Sequence, residues 1–254
     1  MLVVYKTETE LGTAIKESGI PREKLYVTTK VNNDNIKNIV GAIKTSLEKL
    51  QLDYVDLYVS KICINNLYSD EHRYLIHQPW FAGSDEDLQK AWADMEAVQA
   101  SGLAKSIGVS NYLPNHLAAT LKTAKVKPVC NQIELHPYLQ RPELLEFHKQ
   151  NNIATVAYAP LTPATKAKPG PLDDYVGALT KKYAVGENEI YLRWCMDQDI
   201  VPITTSGKEQ RLSDYLRANT FKLTPKEIKD MNEIGQKKHF RGFWGHIFKD
   251  DDQS

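Results

Sequence analysis

A short apolar run followed by an amphipathic helix is the unit that repeats along this chain. The first clear run, residues 25–29, is β-branched and aromatic, and apolar residues then recur every three or four positions from Ile36 to Leu50. This spacing places one apolar stripe on a helix. The alternation predicts strands at 25–29, within 54–77, and at 105–109, 129–135, 154–158 and 200–204, and helices at 10–18, 36–50, 88–98, from 114, from 142, and at 172–183, 187–196, 209–217 and 225–234.

The strict alternation of strands and helices indicates a parallel sheet with helices on its faces. The strands of such a sheet are buried on both faces, which agrees with their continuous apolar runs. No segment rich in glycine, serine or proline divides the chain, so we predict a single domain that spans residues 1–254. The pattern alone leaves two α/β architectures open, a (β/α)₈ barrel and an open sheet.

The charge balance and the cysteines narrow the class of protein. Lys plus Arg and Asp plus Glu number 32 each, so no overall basic field points to nucleic acid or a membrane surface. Cys63, Cys130 and Cys195 are far apart and lack metal-ligand spacing, which predicts a reducing compartment and no metal site. The sequence shows neither a signal-peptide pattern nor an apolar stretch of about 18 residues. We therefore expect a cytoplasmic protein whose partner is a small molecule.

Polar residues that follow the predicted strands are the candidates for chemistry, because reactive groups in such barrels lie at the carboxyl ends of strands. Tyr5, Lys30 and His77 follow three apolar runs. A tyrosine hydroxyl has a pKa of about 10, and a neighbouring ammonium lowers that pKa towards the range of a useful general acid. A histidine beside them can orient a carbonyl by hydrogen bonding. The remaining strand-end residues are Ser110, Asn111, Gln132, Glu134, His136, Tyr158, Thr204, Thr205 and Ser206.

Six segments resemble the aldo-keto reductases, in that family's order and over nearly the whole chain. They read YKTE at 5–8, LYVTTK at 25–30, LIHQP at 75–79, GVSNY at 108–112, NQIELHP at 131–137 and AYAPL at 157–161. The segments VPITTSGK at 201–208 and PGPL at 169–172 more narrowly resemble the fungal branch of α-keto amide, conjugated polyketone and dehydropantolactone reductases. The resemblance implies a (β/α)₈ barrel and NADPH-dependent reduction of a carbonyl.

The resemblance also implies a role for each matching residue. A hydride would pass from the nicotinamide to a ketone or aldehyde while Tyr5 donates the proton, Lys30 lowers the pKa of Tyr5 and His77 orients the carbonyl. The aromatic segment 239–246, within a terminal loop at 236–254, would cover the active-site mouth and bring Trp244 to the substrate; a surface tail is the alternative. The implied cofactor contacts are Ser110, Asn111, Gln132, Tyr158, Thr204, Lys208 and Arg211, although the last two also fit an ordinary charged helix start.

The chain departs from the family pattern in two places. The family's amino-terminal hairpin, first barrel strand, part of the second strand and an aspartate that would pair with Lys30 would all fall before Met1. A polar insert at about 58–73 interrupts one barrel strand, and we expect it to loop out or to be translated intron sequence. These departures leave two other hypotheses open: a barrel that binds NADPH without turnover as a sensor or binding module, and a product that does not fold stably.

Overall fold

The computed structural model of the chain describes residues 7–31, 33–56, 73–249, 252 and 254. Tyr5, Cys63 and the predicted insert up to residue 72 lie outside the described residues. The elements are α1 (Glu8–Glu17), a 3₁₀ turn (Arg22–Lys24), β1 (Thr29–Val31), a 3₁₀ helix (Asn33–Asn38), α2 (Ile39–Leu50), β2 (Arg73–Ile76), α3 (Asp85–Ala100), β3 (Ser106–Ser110), α4 (Pro114–Leu121), β4 (Cys130–Glu134), α5 (Pro142–Asn151), β5 (Ala154–Tyr158), α6 (Thr162–Thr165), α7 (Asp173–Tyr183), α8 (Glu187–Met196), β6 (Val201–Ile203), α9 (Glu209–Tyr215), a 3₁₀ helix (Leu216–Asn219) and α10 (Pro225–Gly235).

The described strands form a six-stranded parallel sheet in the order of the sequence, β1 to β6. In register, Lys30 of β1 pairs with Leu75 of β2, and Leu75 pairs with Gly108 of β3. At the other end of the sheet, Tyr158 of β5 pairs with Ile203 of β6. The predicted α/β class, with a parallel sheet and alternating helices, is confirmed.

The described chain divides into two compact units. The first comprises residues 7–31, 33–56, 73–131 and 148–154, and it holds β1 to β3 and the start of β4. The second comprises residues 132–147, 155–249, 252 and 254, and it holds the end of β4, most of β5 and all of β6. The single domain inferred from the sequence stays a prediction.

The helices begin where local chemistry predicts. Ser84 precedes α3 and accepts a hydrogen bond from the backbone N–H of Asp87, whose side chain bonds back to form a capping box. Thr224 and Glu227 cap α10 in the same way, with Pro225 in its first turn. Residues 88, 92, 95 and 98, expected on one face of α3, are all buried. The short helix α6 has no counterpart among the predictions.

The first predicted strand is the clearest error. Residues 25–28 are not in a strand, and β1 begins only at Thr29. The backbone N–H of Val27 donates to the Asp56 carboxylate at 3.3 Å, and the Thr28 hydroxyl donates to the Asp56 carbonyl at 3.1 Å. Asp56 is itself buried and forms an ion pair with Arg22. A side chain therefore takes the place that a neighbouring strand would have at this position.

Two helical glycines give a matched pair for a stability prediction. A Cβ at Gly12 of α1 would lie 2.5 Å from the backbone oxygen of Leu50, whereas a Cβ at Gly177 of α7 would meet nothing within 4 Å. We expect Gly12→Ala to lower the free energy of unfolding by about 1–3 kcal/mol through overpacking. Gly177→Ala should raise it by up to about 1 kcal/mol through helix propensity. Chemical denaturation of both variants tests this, and equal effects would contradict the close approach of α1 to α2.

Within the described residues, no helix is long and apolar enough to cross a membrane. The same residues contain no group of three or more His, Cys, Asp or Glu side chains that could hold a metal ion. Cys130 and Cys195 are buried, and neither forms a disulfide among the described residues.

Candidate active site

Lys30 is the buried cation of the first unit. It lies in β1 with 4% of its surface exposed, and its Nζ donates a hydrogen bond to Ser110 Oγ at the end of β3 over 3.0 Å. No carboxylate among the described residues forms an ion pair with it. Burial lowers the pKa of Lys30 to about 7, so its ammonium and amine forms are both populated near neutral pH.

His77 follows the last residue of β2 and lies close enough to Lys30 to be affected by its charge. Its backbone N–H donates to the carbonyl of Val31 at 3.0 Å, which continues the pairing of β2 with β1 by one residue. Burial, and then the charge of neighbouring Lys30, lower the pKa of His77 to about 3. The imidazole is therefore neutral at pH 7, with one ring nitrogen carrying a proton and the other able to accept one.

Asn111 joins the ends of β2 and β3. It has φ +62°, in the left-handed region that asparagine tolerates better than most residues. Its Nδ2 donates to the His77 carbonyl at 2.9 Å and to Ser110 Oγ at 3.2 Å. Four of the residues that the sequence pointed to, Lys30, His77, Ser110 and Asn111, are thus brought together by three strand ends within one unit.

In the second unit, the structure brings Tyr158 and Trp244 together. The Trp244 indole N–H donates to the Tyr158 hydroxyl at 2.9 Å, and Phe243 packs edge-on against the Tyr158 ring at 5.4 Å between ring centroids. Trp244 has φ +64°, a conformation uncommon for a bulky side chain. The aromatic segment 239–246 therefore lies against the residue that the resemblance assigns to the nicotinamide ring.

Glu134 holds this segment in place, and no role was predicted for it from the sequence. It is fully buried at the end of β4 and accepts the backbone N–H groups of Gly242 at 2.7 Å and Phe243 at 3.1 Å. The His136 ring lies 3.3 Å from the same carboxylate. A Cβ at Gly242 would stand only 3.0 Å from Glu134 Oε1, so glycine permits the close approach. The usable signal was a carboxylate inside a buried strand, because such a charge needs partners.

The other proposed cofactor residues also lie in the second unit. Gln132 is buried in β4, whereas Thr204, Lys208 and Arg211 are exposed after β6 and at the start of α9. No ion pair among the described residues engages Lys208 or Arg211. Ile203, the last residue of β6, is 36% exposed. Two uncommitted cations in water suit the 2′-phosphate of NADPH, so the residues present fit that cofactor.

The sheet is parallel and built of strand–helix units, and it carries a lysine, an imidazole and amide side chains at neighbouring strand ends. This arrangement is typical of α/β enzymes that bind a polar ligand at that end of the sheet.

Comparison with known sequences identifies the family within this class. The Aldo/keto reductase family matches residues 3–236. An NAD/NADP-dependent indole-3-acetaldehyde reductase of Schizosaccharomyces pombe is 35% identical, over 96% of this chain and 81% of the relative. An NADPH-dependent alpha-keto amide reductase of Saccharomyces cerevisiae is 34% identical, over 96% of this chain and 77% of the relative.

Solved structures agree. An aldo-keto reductase from a Medee basin deep-sea metagenome library superimposes with a TM-score of 0.81 at 31% identity, covering 94% of this chain and 81% of that one. The aldo-keto reductase of Bombyx mori, solved in complex with NADP, gives a TM-score of 0.79 at 30% identity, covering 91% of this chain and 76% of that one. The chain belongs to the aldo/keto reductase family. The predictions of that family, its α/β barrel fold and an oxidoreductase class are confirmed.

Proposed function

We propose that the protein reduces an activated carbonyl compound, an α-dicarbonyl, an α-keto amide or a ketolactone, to an alcohol at the expense of NADPH. The observation that supports this best is the cluster in the first unit, where buried Lys30 donates to Ser110 at 3.0 Å beside His77. The relatives favour the same substrate class, since they include the yeast alpha-keto amide reductase and a methylglyoxal reductase of Escherichia coli at 34% identity.

The proposed roles follow from the charge state of each group. A neutral His77 carries one ring N–H, which is suited to donate to a carbonyl oxygen and to fix its position. Lys30 in its ammonium form would stabilise the phenolate of Tyr5 and so lower the pKa of that phenol. Tyr5 would deliver its proton to the same oxygen. The role of Tyr5 rests on the sequence resemblance, because this residue lies outside the described part of the chain.

The residues proposed for the cofactor divide by chemistry. NADPH, when bound, supplies the hydride that the carbonyl carbon receives. Ser110, Asn111 and Gln132 carry the polar groups for a carboxamide, and Tyr158 offers a ring for stacking. Thr204, Lys208 and Arg211 offer a hydroxyl and two cations for the adenosine 2′-phosphate, where an arginine can bind bidentately. Trp244, hydrogen-bonded to Tyr158, is placed to contact a substrate. We further propose that the protein acts in the cytoplasm on a small molecule.

One observation favours a second candidate, a barrel that binds NADPH without turnover. Among the described residues Lys30 makes its one polar contact with the Ser110 hydroxyl, and its pKa is lowered to about 7. A lysine that spends much of its time uncharged activates a neighbouring phenol less. The two candidates differ in turnover and share cofactor binding.

Consumption of NADPH, followed by its absorbance, separates these candidates. With an α-keto amide or an α-diketone we expect turnover by the natural chain and a fall of about 10²–10⁴-fold in kcat for Tyr5→Phe. Tyr26, which is 43% exposed, supplies the control: Tyr26→Phe should keep its kcat. Binding of NADPH without turnover would leave the second candidate, and absence of both would contradict the two together.

A further inference from the structure

Arg141 is a buried guanidinium with unused hydrogen-bond donors. It lies just before α5 with 4% of its surface exposed and φ +53°. Its Nε and Nη2 atoms have no hydrogen-bond partner among the described residues. These two atoms form one planar edge of the guanidinium, the edge that grips an oxyanion through two parallel hydrogen bonds. Leaving such donors buried and unpaired is unfavourable, so the edge is suited to a ligand.

Arg141 lines a cavity of about 210 Å³ in the second unit. Roughly 15 Å³ suffices for one water molecule, so the cavity has room for a group of several heavy atoms. Its described lining includes the cations of Arg141 and Lys238 and the polar side chains of Gln140 and Gln236, and contains no aspartate or glutamate. The composition of this cavity is therefore complementary to a small anion.

The charged groups near Arg141 leave its Nε and Nη2 atoms without a hydrogen-bond partner among the described residues. Burial, and then the nearby charge of Arg241, lower the pKa of Arg141 to about 10, which leaves the guanidinium charged at neutral pH. The Glu134 carboxylate, one of the opposing charges that act on Arg141, accepts the backbone N–H groups of residues 242 and 243. Asp252 accepts the backbone N–H of Ser254 at 2.8 Å. Lys238 donates to the carbonyls of residues 167 and 169, which leaves it one further N–H.

We propose that this cavity binds a small oxyanion, a phosphate or carboxylate group, through the side-on edge of Arg141 with Lys238 as a second cation. None of the described residues that line the cavity is among those proposed for carbonyl reduction, and the anion proposal does not depend on that activity. The ligand is either inorganic phosphate or the carboxylate of a small metabolite, since both present two oxygens to a guanidinium fork.

Isothermal titration calorimetry at constant ionic strength, with sodium phosphate in one arm and sodium acetate in the other, tests the site. We expect one or both anions to bind the natural chain, and Arg141→Met to weaken the bound anion by about tenfold to a hundredfold. Replacing a buried, unpaired cation by a side chain of similar length is seldom destabilising, so this variant should fold. Arg141→Lys keeps the charge but loses the planar fork, so its affinity for the anion should lie between those of the natural chain and Arg141→Met.

A double variant, Lys208→Met with Arg211→Met, removes the other candidate phosphate contacts and is the control. Its affinity for the anion should equal that of the natural chain. Absence of binding by both anions, unchanged affinity in Arg141→Met, or loss of binding in the double variant alone would each overturn the proposal. These titrations use no NADPH and no carbonyl, so their failure is distinguishable from failure of the reductase activity.

Discussion

We expect Lys30→Met to be nearly inactive and, at pH 7, more stable than the natural protein. Both effects have one origin, the burial of a cation whose contact among the described residues is the Ser110 hydroxyl. Without the ammonium, the Tyr5 phenol would keep its ordinary pKa of about 10 and act as a poor acid at neutral pH. The expected loss in kcat is about 10²–10⁴-fold.

The pH profile distinguishes this role from a purely structural one. The ammonium form of Lys30 is the activating form, and it is lost as pH rises through about 7. In the natural protein kcat should therefore decline above neutral pH, whereas the residual activity of Lys30→Met should lack this decline. An unchanged profile in the variant would show that Lys30 does not act on the proton donor.

The stability effect has a definite sign. The pKa of Lys30 is about 7 in the fold and about 10.5 in the unfolded chain. Between these values the unfolded chain binds more protons, so the free energy of unfolding rises with pH across this window. Below about pH 7 the fold bears the full cost of the buried charge, on the order of 5 kcal/mol. Lys30→Met should remove this cost, and its gain over the natural protein should vanish towards pH 10.5.

Denaturant titrations at about pH 7 and pH 10 measure this difference. The matched control is Lys181→Met, because Lys181 is an exposed lysine on α7. That variant should change neither kcat nor the pH dependence of stability by a measurable amount. A Lys30→Met variant less stable than the natural protein at pH 7 would contradict the account of Lys30 as a buried, incompletely paired cation.

The second large effect is expected at Glu134→Gln. The substitution keeps one acceptor oxygen but places an NH₂ group opposite a backbone N–H of residue 242 or 243, where two donors meet. Each charge-assisted hydrogen bond of this kind contributes about 1.5–3 kcal/mol. We expect the aromatic segment 239–246 to detach locally, with amide protection at residues 242 and 243 falling by about tenfold to a hundredfold.

Hydrogen exchange read by NMR or mass spectrometry measures that loss. Glu143→Gln, an exposed carboxylate on α5, is the control and should leave the protection unchanged. If the reductase proposal holds, detachment of the segment should also raise KM for the carbonyl, because Trp244 is part of the segment and would move away from the substrate. Intact protection in Glu134→Gln would mean that the carboxylate is not what holds the segment.

Local signals predicted the helices well because their boundaries depend on nearby residues. Proline at 114, 142 and 225 marks three helix starts, and β5 and α8 match their predicted ranges. The strand at 25–29 was misplaced because Asp56, about 30 residues away, takes its backbone donor. No local pattern encodes such a partner.

The candidate site likewise has residues that a sequence pattern predicts and contacts that no such pattern predicts. The rule that chemistry lies at strand ends pointed to Lys30, His77, Ser110 and Asn111, and hydrogen bonds join these residues in the structure. The partners of Glu134 stand 108 and 109 positions later in the chain, and the unused edge of Arg141 depends on the shape of its cavity. Neither follows from a pattern in sequence. The catalytic and cofactor roles themselves stay predictions.

The distance along the chain between Glu134 and its amide partners has a consequence for biosynthesis. At about 5–20 residues per second, a ribosome reaches residues 242 and 243 roughly 5–20 s after it adds Glu134. Throughout that delay neither backbone donor is available to the nascent carboxylate, so water must take the place of these two N–H groups at the end of β4. The packing of the second unit around Glu134 can therefore be completed only after the aromatic segment has emerged, even though the strands of that unit emerge earlier.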